Sequence, residues 1–188
     1  MIRRSETPRP LHRSLRSTRR LLPKPPAARL RDAISIDASP DVVWMWLSSL
    51  ASHYGEWHPD HVSAAWIRGD PNEVGSRLEV VERLGGHRER LVFEVTAIDS
   101  PRRFEYRIVG VHSAFIPGGR FVVEPRNHHS EFVAEVDLRL PRLSGIVFRR
   151  RVKALRMHMR EEGRSLKRVL EAAPSPTDRR PESVLHEA

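Results

Sequence analysis

Residues 143–171 read LSGIVFRRRVKALRMHMREEGRSLKRVLE, and this stretch decides the fold. Apolar side chains recur in it every three or four positions, the spacing that places them along one side of an α-helix. They are Val152, Leu155, Met159, Leu166, Val169 and Leu170. Arginine and lysine fill the opposite side, and no proline interrupts the stretch. The spacing therefore predicts one long amphipathic helix near the C-terminus.

Two polar residues interrupt the apolar side of this predicted helix. The apolar series should continue near positions 158 and 162, which are occupied by His158 and Glu162. Residues four apart on a helix lie one above the other, so an imidazole and a carboxylate project together from the buried side. The pair is either a polar notch on a half-exposed face or one part of a site. A second polar cluster decides between these interpretations.

The positive charge of the chain is concentrated at its N-terminus. Residues 1–31 contain ten Arg or Lys and one Glu, whereas the other residues contain 23 basic and 23 acidic side chains, so the net charge of +9 belongs to the first segment. This segment is rich in Arg, Ser and Pro, which predicts a disordered basic tail over 1–30, and a second disordered tail is predicted over 173–188. No specific nucleic-acid interface is expected. The first tail is either simply solvated or makes weak, non-specific contacts with anionic lipid or nucleic acid.

Membrane-spanning and secreted classes of protein are disfavoured by the sequence. No run approaches the roughly 18 apolar residues of a membrane-spanning helix. The arginines near the N-terminus are not followed by the apolar segment of a secretory signal. The chain contains no cysteine and hence no disulfide. We therefore expect no membrane span and a cytoplasmic location.

Between the two tails, one helix and a series of strands precede the long helix. Residues 33–37 alternate between apolar and polar, as in a strand. Ser39 before Pro40 is a good helix start, which predicts a helix over 41–50. A loop, ASHYGEWHPDH, is expected over 51–61. Further strands are predicted over 61–67, 76–84, 89–98, 104–109, 120–124 and 131–138.

This order of elements, together with IDASPDVVWMWL at residues 36–47, resembles the helix-grip fold of the START, Bet v 1 and polyketide-cyclase superfamily. An antiparallel sheet of this length must bury one face, and the terminal helix is the element long enough to cover it. The resemblance covers residues 31–172. It implies an α+β domain in which a curved antiparallel sheet of six to seven strands wraps around the long C-terminal helix. A cavity for a small hydrophobic or aromatic molecule lies between them in this superfamily.

A second polar cluster is predicted from the loop and the first hairpin. The loop carries His58 and His61 three residues apart. If Gly85 and Gly86 form a two-residue turn, Glu82 lies opposite Glu89 on the core-facing side of the hairpin. Like charges directly opposite one another destabilise a sheet, so either a cation neutralises them or the hairpin end lies at a wet rim. Imidazoles and carboxylates together suit zinc or another divalent first-row metal.

A closer resemblance is carried by three motifs: Trp57-His58-Pro59, Val80-x-Glu82 before Gly85-Gly86, and His158-x-x-x-Glu162. These are similar to motifs of the diacetylphloroglucinol hydrolase family, a zinc-dependent branch of the helix-grip fold. The family hydrolyses the carbon–carbon bond between an acyl group and a phenolic ring. The resemblance implies that His58, Glu82, His158 and Glu162 hold the zinc ion and that His61 contacts the substrate.

Two features of the chain leave alternatives open. It is shorter than this family's pattern, and Glu89 competes with Glu82 as a ligand. Because Glu82 lies in the strand that follows the histidine loop, we expect Glu82 to be the ligand and Glu89 to lie at the rim.

In the mechanism that this resemblance implies, zinc polarises the ketone of the substrate, and a nearby acid protonates the leaving carbon or ring oxygen. The candidate acids are His61, Tyr54 and His112. The competing class of protein is a metal-free carrier or cyclase-like protein that binds a hydrophobic small molecule in the same cavity.

Overall fold

The computed structural model of this protein describes residues 28–127, 129–139 and 146–172. The strands there are β1 (Ala28–Ile36), β2 (His61–Arg68), β3 (Arg77–Leu84), β4 (His87–Asp99), β5 (Arg103–Val109), β6 (Gly118–Arg126) and β7 (His129–Leu138). The α-helices are α1 (Pro40–Ser48), α2 (Leu50–Trp57) and α3 (Ile146–Ala172). A short 3₁₀ turn, Val111–Ala114, lies between β5 and β6. The predicted tails lie outside the described residues, except for 28–30, which belong to β1.

All of these strands form one antiparallel sheet in the order β1-β7-β6-β5-β4-β3-β2. The first two strands therefore lie at opposite edges, and α1 and α2 connect those edges. The long helix α3 packs against β1, β7 and α2. The predicted helix-grip fold, a curved antiparallel sheet with a long C-terminal helix, is confirmed.

The helical connection between β1 and β2 is longer than predicted. The backbone N–H of Val42 donates to the Ser39 hydroxyl at 3.4 Å, as expected of an N-cap before Pro40. The loop prediction for residues 51–61 is wrong over most of its length, because Leu50–Trp57 forms α2. Leu50, Tyr54 and Trp57 are buried at helical spacing along one side of α2, and this burial stabilises a helix that glycine and histidine do not favour.

The hairpin between β3 and β4 has the predicted register. Gly85 and Gly86 both have positive φ angles, 59° and 84°, which a two-residue type I′ turn requires and glycine adopts readily. Leu84 consequently pairs with His87, and Glu82 pairs with Glu89. The register decides which side of the sheet each carboxylate occupies.

The core lies between the concave face of the sheet and the helices. Its helical part comes from Val43 and Leu47 of α1, from Leu50, Tyr54 and Trp57 of α2, and from Met159, Leu166 and Leu170 of α3. Burial of one such side chain contributes about 1.5–3 kcal/mol to stability. This packing holds α3 in place, so that His158 and Glu162 face the sheet.

Candidate metal centre

A buried group of imidazoles and carboxylates lies where α3 meets the sheet. His61, Glu82, His158 and Glu162 each offer one ligand atom, and these four atoms all lie within 4.8 Å of one another. A second group is formed by His58, His61 and His158, whose ligand atoms also lie within 4.8 Å of one another. The three parts of the chain that supply the five residues are distant in sequence and meet only in the fold. The protein thus has a His/Glu cluster that could hold a metal ion.

His61 and His158 are common to both groups, and the ring of His61 is oriented by the backbone. The Nδ1 atom of His61 lies 3.2 Å from the carbonyl oxygen of Tyr54. Because a carbonyl oxygen only accepts hydrogen bonds, this contact places a proton on Nδ1 and leaves Nε2 as the ligand atom. Nε2 lies 2.9 Å from Glu162 Oε1 and 3.9 Å from Glu82 Oε2. The geometry therefore brings His61, predicted as a substrate contact, into the four-residue group.

The opposite tautomer is favoured in His58. Its Nδ1 accepts a hydrogen bond from the backbone N–H of Asp60 at 3.1 Å, which places the proton of the neutral ring on Nε2. That Nε2 lies 3.6 Å from Glu161 Oε2. Burial, followed by the neighbouring His158 and His61, lowers the pKa of His58. His58, predicted as the first zinc ligand, thus lies beside the four-residue group rather than within it.

Among the described cluster residues, His158 contains the one fully buried polar atom that lacks a hydrogen bond. Its Nε2 is buried and has no hydrogen-bond partner among the described residues. The nearest carboxylate oxygens are Glu162 Oε1 at 3.5 Å and Glu82 Oε2 at 3.7 Å. An unsatisfied buried polar atom costs about 1–3 kcal/mol. A cation between the imidazole and the two carboxylates would satisfy all three groups, so the residues fit a metal ion.

The charges of His158 and Glu162 depend on each other. Burial opposes the charged form of His158, but Glu162 and Glu82 outweigh it and raise the pKa of His158 to about 10. Burial likewise opposes ionisation of Glu162, but His158 and His61 lower its pKa to about 2. Without a metal, the two side chains form an imidazolium–carboxylate pair. A metal ion would have to replace the His158 proton.

Tyr54, one of the predicted acids, contacts Glu82, a candidate metal ligand. Its hydroxyl donates a hydrogen bond to Glu82 Oε2 at 3.0 Å. Burial, reinforced by the charges of Glu82 and Glu162, raises the pKa of the Tyr54 hydroxyl far above its ordinary value. The hydroxyl is therefore poorly suited to release a proton to a substrate.

Glu89 and His112 lie outside the cluster. Although Glu89 pairs with Glu82 in the hairpin, its Oε2 lies 3.1 Å from Nε2 of His112 in the 3₁₀ turn. Both side chains are about one-third exposed. The structure therefore places the competing carboxylate and the third predicted acid together at a partly open position.

Trp57 is a residue of the site to which the sequence motifs assigned no separate role. Its indole N–H donates to the backbone carbonyl of Glu162 at 3.0 Å, which ties α2 to α3. The ring also meets His61 edge-on, with centroids 5.1 Å apart. The spacing of Leu50, Tyr54 and Trp57 was the available signal, because it predicts a helix whose buried side faces the cluster.

Aromatic rings continue from the cluster across the concave face. Trp57 and Phe121 have centroids 6.1 Å apart, and Phe121 lies 5.7 Å from Tyr106. Tyr106 in turn stacks on Phe93 at 4.6 Å. Phe93 and Phe121 are only partly buried. The polar cluster is therefore bordered by an apolar, aromatic wall.

The curved sheet, the long C-terminal helix and a polar cluster enclosed between them define a helix-grip protein. The chain belongs to the polyketide cyclase / dehydrase and lipid transport family, whose sequence profile matches residues 27–171. No curated protein sequence matches the chain.

Solved structures with the same fold are distant in sequence. A protein of Thermus thermophilus is 18% identical with a TM-score of 0.64, over 79% of this chain and 100% of that one. The Zhui aromatase/cyclase of Streptomyces sp. R1128 is 12% identical with a TM-score of 0.65, over 77% and 93% of the two chains. A START superfamily protein of Mycobacterium smegmatis is 14% identical with a TM-score of 0.60, over 76% and 97%. These similarities establish the fold.

The helices of the described residues are also too short or too polar to cross a membrane.

Proposed function

We propose that this protein is a zinc-dependent hydrolase that cleaves a carbon–carbon bond in an acylated phenolic or related small molecule. The observation that carries the proposal is the convergence of His61, Glu82, His158 and Glu162, whose ligand atoms lie within 4.8 Å of one another. The buried and unsatisfied Nε2 of His158 adds to it. Two imidazoles and two carboxylates form a donor set that zinc accepts.

The proposed zinc ligands are His61, Glu82, His158 and Glu162. His61 replaces His58 in the set predicted from the sequence, because the hydrogen bond from Asp60 occupies Nδ1 of His58 and keeps its proton on Nε2. A bound zinc ion would supply Lewis acidity toward the carbonyl oxygen of a ketone.

The remaining residues of the site would then bind and orient the substrate. His58 carries a proton on Nε2 at the edge of the cluster, and its ring centroid lies 4.6 Å from that of His158. We assign to His58 a hydrogen bond from this N–H to an oxygen of the substrate, because burial lowers its pKa and a neutral imidazole is too weak an acid to protonate carbon. The aromatic wall from Trp57 to Phe93 would bind the phenolic ring of the substrate.

The choice of reaction is supported by resemblance. Trp57-His58-Pro59, the carboxylate Glu82 before a Gly-Gly turn, and His158-x-x-x-Glu162 are similar to motifs of the diacetylphloroglucinol hydrolase family. Family membership supports a small hydrophobic ligand, because the family's description includes polyketide cyclases and lipid transport. Hydrolysis of the acyl–ring bond is a reaction that would use both the metal centre and a small hydrophobic ligand of this kind.

Metal analysis of untagged protein tests the proposal. We expect about one zinc ion per chain and release of acetate from an acetylated phloroglucinol. Protein with both His158→Ala and Glu162→Ala should bind no zinc and release no acetate. Untagged protein that binds no zinc when zinc is supplied, or zinc retained by the double variant, would contradict this function.

A metal-free carrier or cyclase-like protein is the second candidate function. It is favoured by the charge balance of the cluster, because protonated His158 and ionised Glu162 neutralise each other without a metal. On this hypothesis, His58→Ala would alter ligand affinity, and zinc would leave the affinity for an acylphenol unchanged. A change of that affinity on adding zinc would count against it.

A further inference from the structure

Tyr54 makes three separate contacts with the proposed zinc ligands. The side chain is only 4% exposed. Its hydroxyl donates to Glu82 Oε2 at 3.0 Å. Its ring stacks on the imidazole of His61, with centroids 4.0 Å apart and planes inclined by 2°. Its carbonyl oxygen lies 3.2 Å from His61 Nδ1.

Each contact restricts one degree of freedom of a ligand. The carbonyl oxygen selects the tautomer of His61 whose Nε2 faces the cluster. The stacked ring fixes the plane of that imidazole. The hydroxyl directs Oε2 of Glu82, which is also the oxygen of Glu82 that lies near Nε2 of both His61 and His158.

We propose that Tyr54 is a positioning residue that holds His61 and Glu82 in the arrangement that binds zinc. This inference rests on the proposed function, since it requires those residues to be ligands. It replaces the role of proton donor that the sequence suggested for Tyr54. The residue acts through the ligands, and it is supplied by α2, the helix that was predicted as a loop.

The chain offers a matched control for this role. Tyr106 is also buried, but its ring stacks on Phe93, and no hydrogen bond joins its hydroxyl to the cluster in the described part of the chain. Tyr54→Phe and Tyr106→Phe therefore remove the same atom from two buried rings. They differ in whether that atom contacts a proposed ligand.

Zinc affinity, measured by competition with a chromophoric chelator, tests the proposal. Loss of a side chain that orients a metal ligand typically weakens metal binding by about 10- to 100-fold. We expect a weakening in this range for Tyr54→Phe and an unchanged affinity for Tyr106→Phe. The visible spectrum of the cobalt-substituted protein should also change in Tyr54→Phe alone, because it reports the geometry of the ligands.

A double-mutant cycle tests whether Tyr54 acts through Glu82. In a Glu82→Gln background, Tyr54→Phe should weaken zinc binding much less than it does in the wild-type protein. Equal effects in both backgrounds would overturn the proposal, as would wild-type affinity in Tyr54→Phe or equal losses in the two tyrosine variants. Thermal unfolding of the metal-free variants controls for folding, which the retained phenyl ring should preserve.

The failure of the proposed function has a different signature. If the wild-type protein binds no zinc, the ligand set itself is wrong. If the wild-type protein binds zinc and Tyr54→Phe binds it equally well, only the role of Tyr54 is wrong.

Discussion

The two halves of α3 have the same regular backbone but very different surroundings. Residues 146–157 contain five basic and no acidic side chains, and none of the side chains described there is fully buried. Residues 158–172 contain four basic and three acidic side chains and include His158, Met159, Leu166 and Leu170, all buried. The fully buried core residues of α3 and the candidate metal centre thus belong to the second half, whereas Val152 and Leu155 of the first half are only partly buried against the core. The comparison shows that the same apolar spacing runs through both halves, while full burial among the described side chains is confined to the second half.

Removing the two proposed ligands in the second half should have the largest effect. His158→Ala together with Glu162→Ala should abolish zinc binding, because half of the proposed ligands are lost. Arg149→Ala together with Lys153→Ala, four residues apart in the first half, should leave zinc binding unchanged. Equilibrium dialysis with zinc compares the two double variants directly. An equal loss of zinc binding in both would contradict the assignment of the metal centre to the second half.

Truncation of a buried side chain in the second half should have the next largest effect. Leu166 is completely buried, so Leu166→Ala should destabilise the protein by about 2–5 kcal/mol. Met157 in the first half is 50% exposed, and Met157→Ala should change the stability by about 0.5 kcal/mol or less. Urea unfolding of both variants measures the difference. A large loss in Met157→Ala would show that something covers the first half of the helix.

Glu82 and Glu89, the two carboxylates of the β3–β4 hairpin, test which part of the sheet faces the second half of α3. Glu82→Gln should weaken zinc binding, because Glu82 Oε2 lies 3.7 Å from His158 in the second half of α3. Glu89→Gln should weaken it less, because Glu89 contacts His112 instead. Calorimetric titration with zinc ranks the two variants. The reverse order would mean that the wrong carboxylate has been assigned.

The pH dependence of the metal-free protein should provide the smallest effect. The pKa of His158 is raised from 6.5 to about 10, so its contribution to stability is complete below pH 6.5 and is lost as the pH rises toward 10. The pKa of Glu162 is lowered from 4.5 to about 2, so its contribution is complete above pH 4.5 and is lost as the pH falls toward 2. Both contributions are therefore complete between pH 4.5 and 6.5.

We expect the urea midpoint of metal-free protein to decline above pH 6.5, and to decline less in His158→Gln. A midpoint that rises between about pH 6.5 and 9 in the wild-type protein would contradict the imidazolium–carboxylate pair.

The fold could be predicted from the sequence because its signals are local. The spacing along α3 and the Gly85-Gly86 turn depend on neighbours only a few residues away, and the turn alone determines that Glu82 pairs with Glu89. The position of His158 and Glu162 on the buried side follows from helical periodicity in the same way. Such signals can be recognised in the sequence because they do not depend on contacts between distant parts of the chain.

The choice between His58 and His61 could not be predicted in this way. It depends on the backbone N–H of Asp60 and the carbonyl of Tyr54, which are presented to the two rings only once α2 has formed and packed. The sequence contains two histidines three residues apart but no indication of their tautomers. Resemblance to a known motif favoured His58, whereas the local hydrogen bonds favour His61.

The order of the strands has a consequence for the route by which the protein folds. Neighbours from β2 to β7 are consecutive in the chain, whereas the β1–β7 pairing joins Ala28 to Leu138. Closing such a long loop costs more chain entropy than forming a hairpin, so we expect β1 and the helix packed on it to dock last. The cluster would then be assembled in the final step, and zinc would trap the docked state by mass action. Hydrogen exchange in β1 that is as slow as in β3 and β4 would contradict late docking. Faster exchange in β1 that zinc suppresses would mean that metal binding stabilises the docked state of this strand.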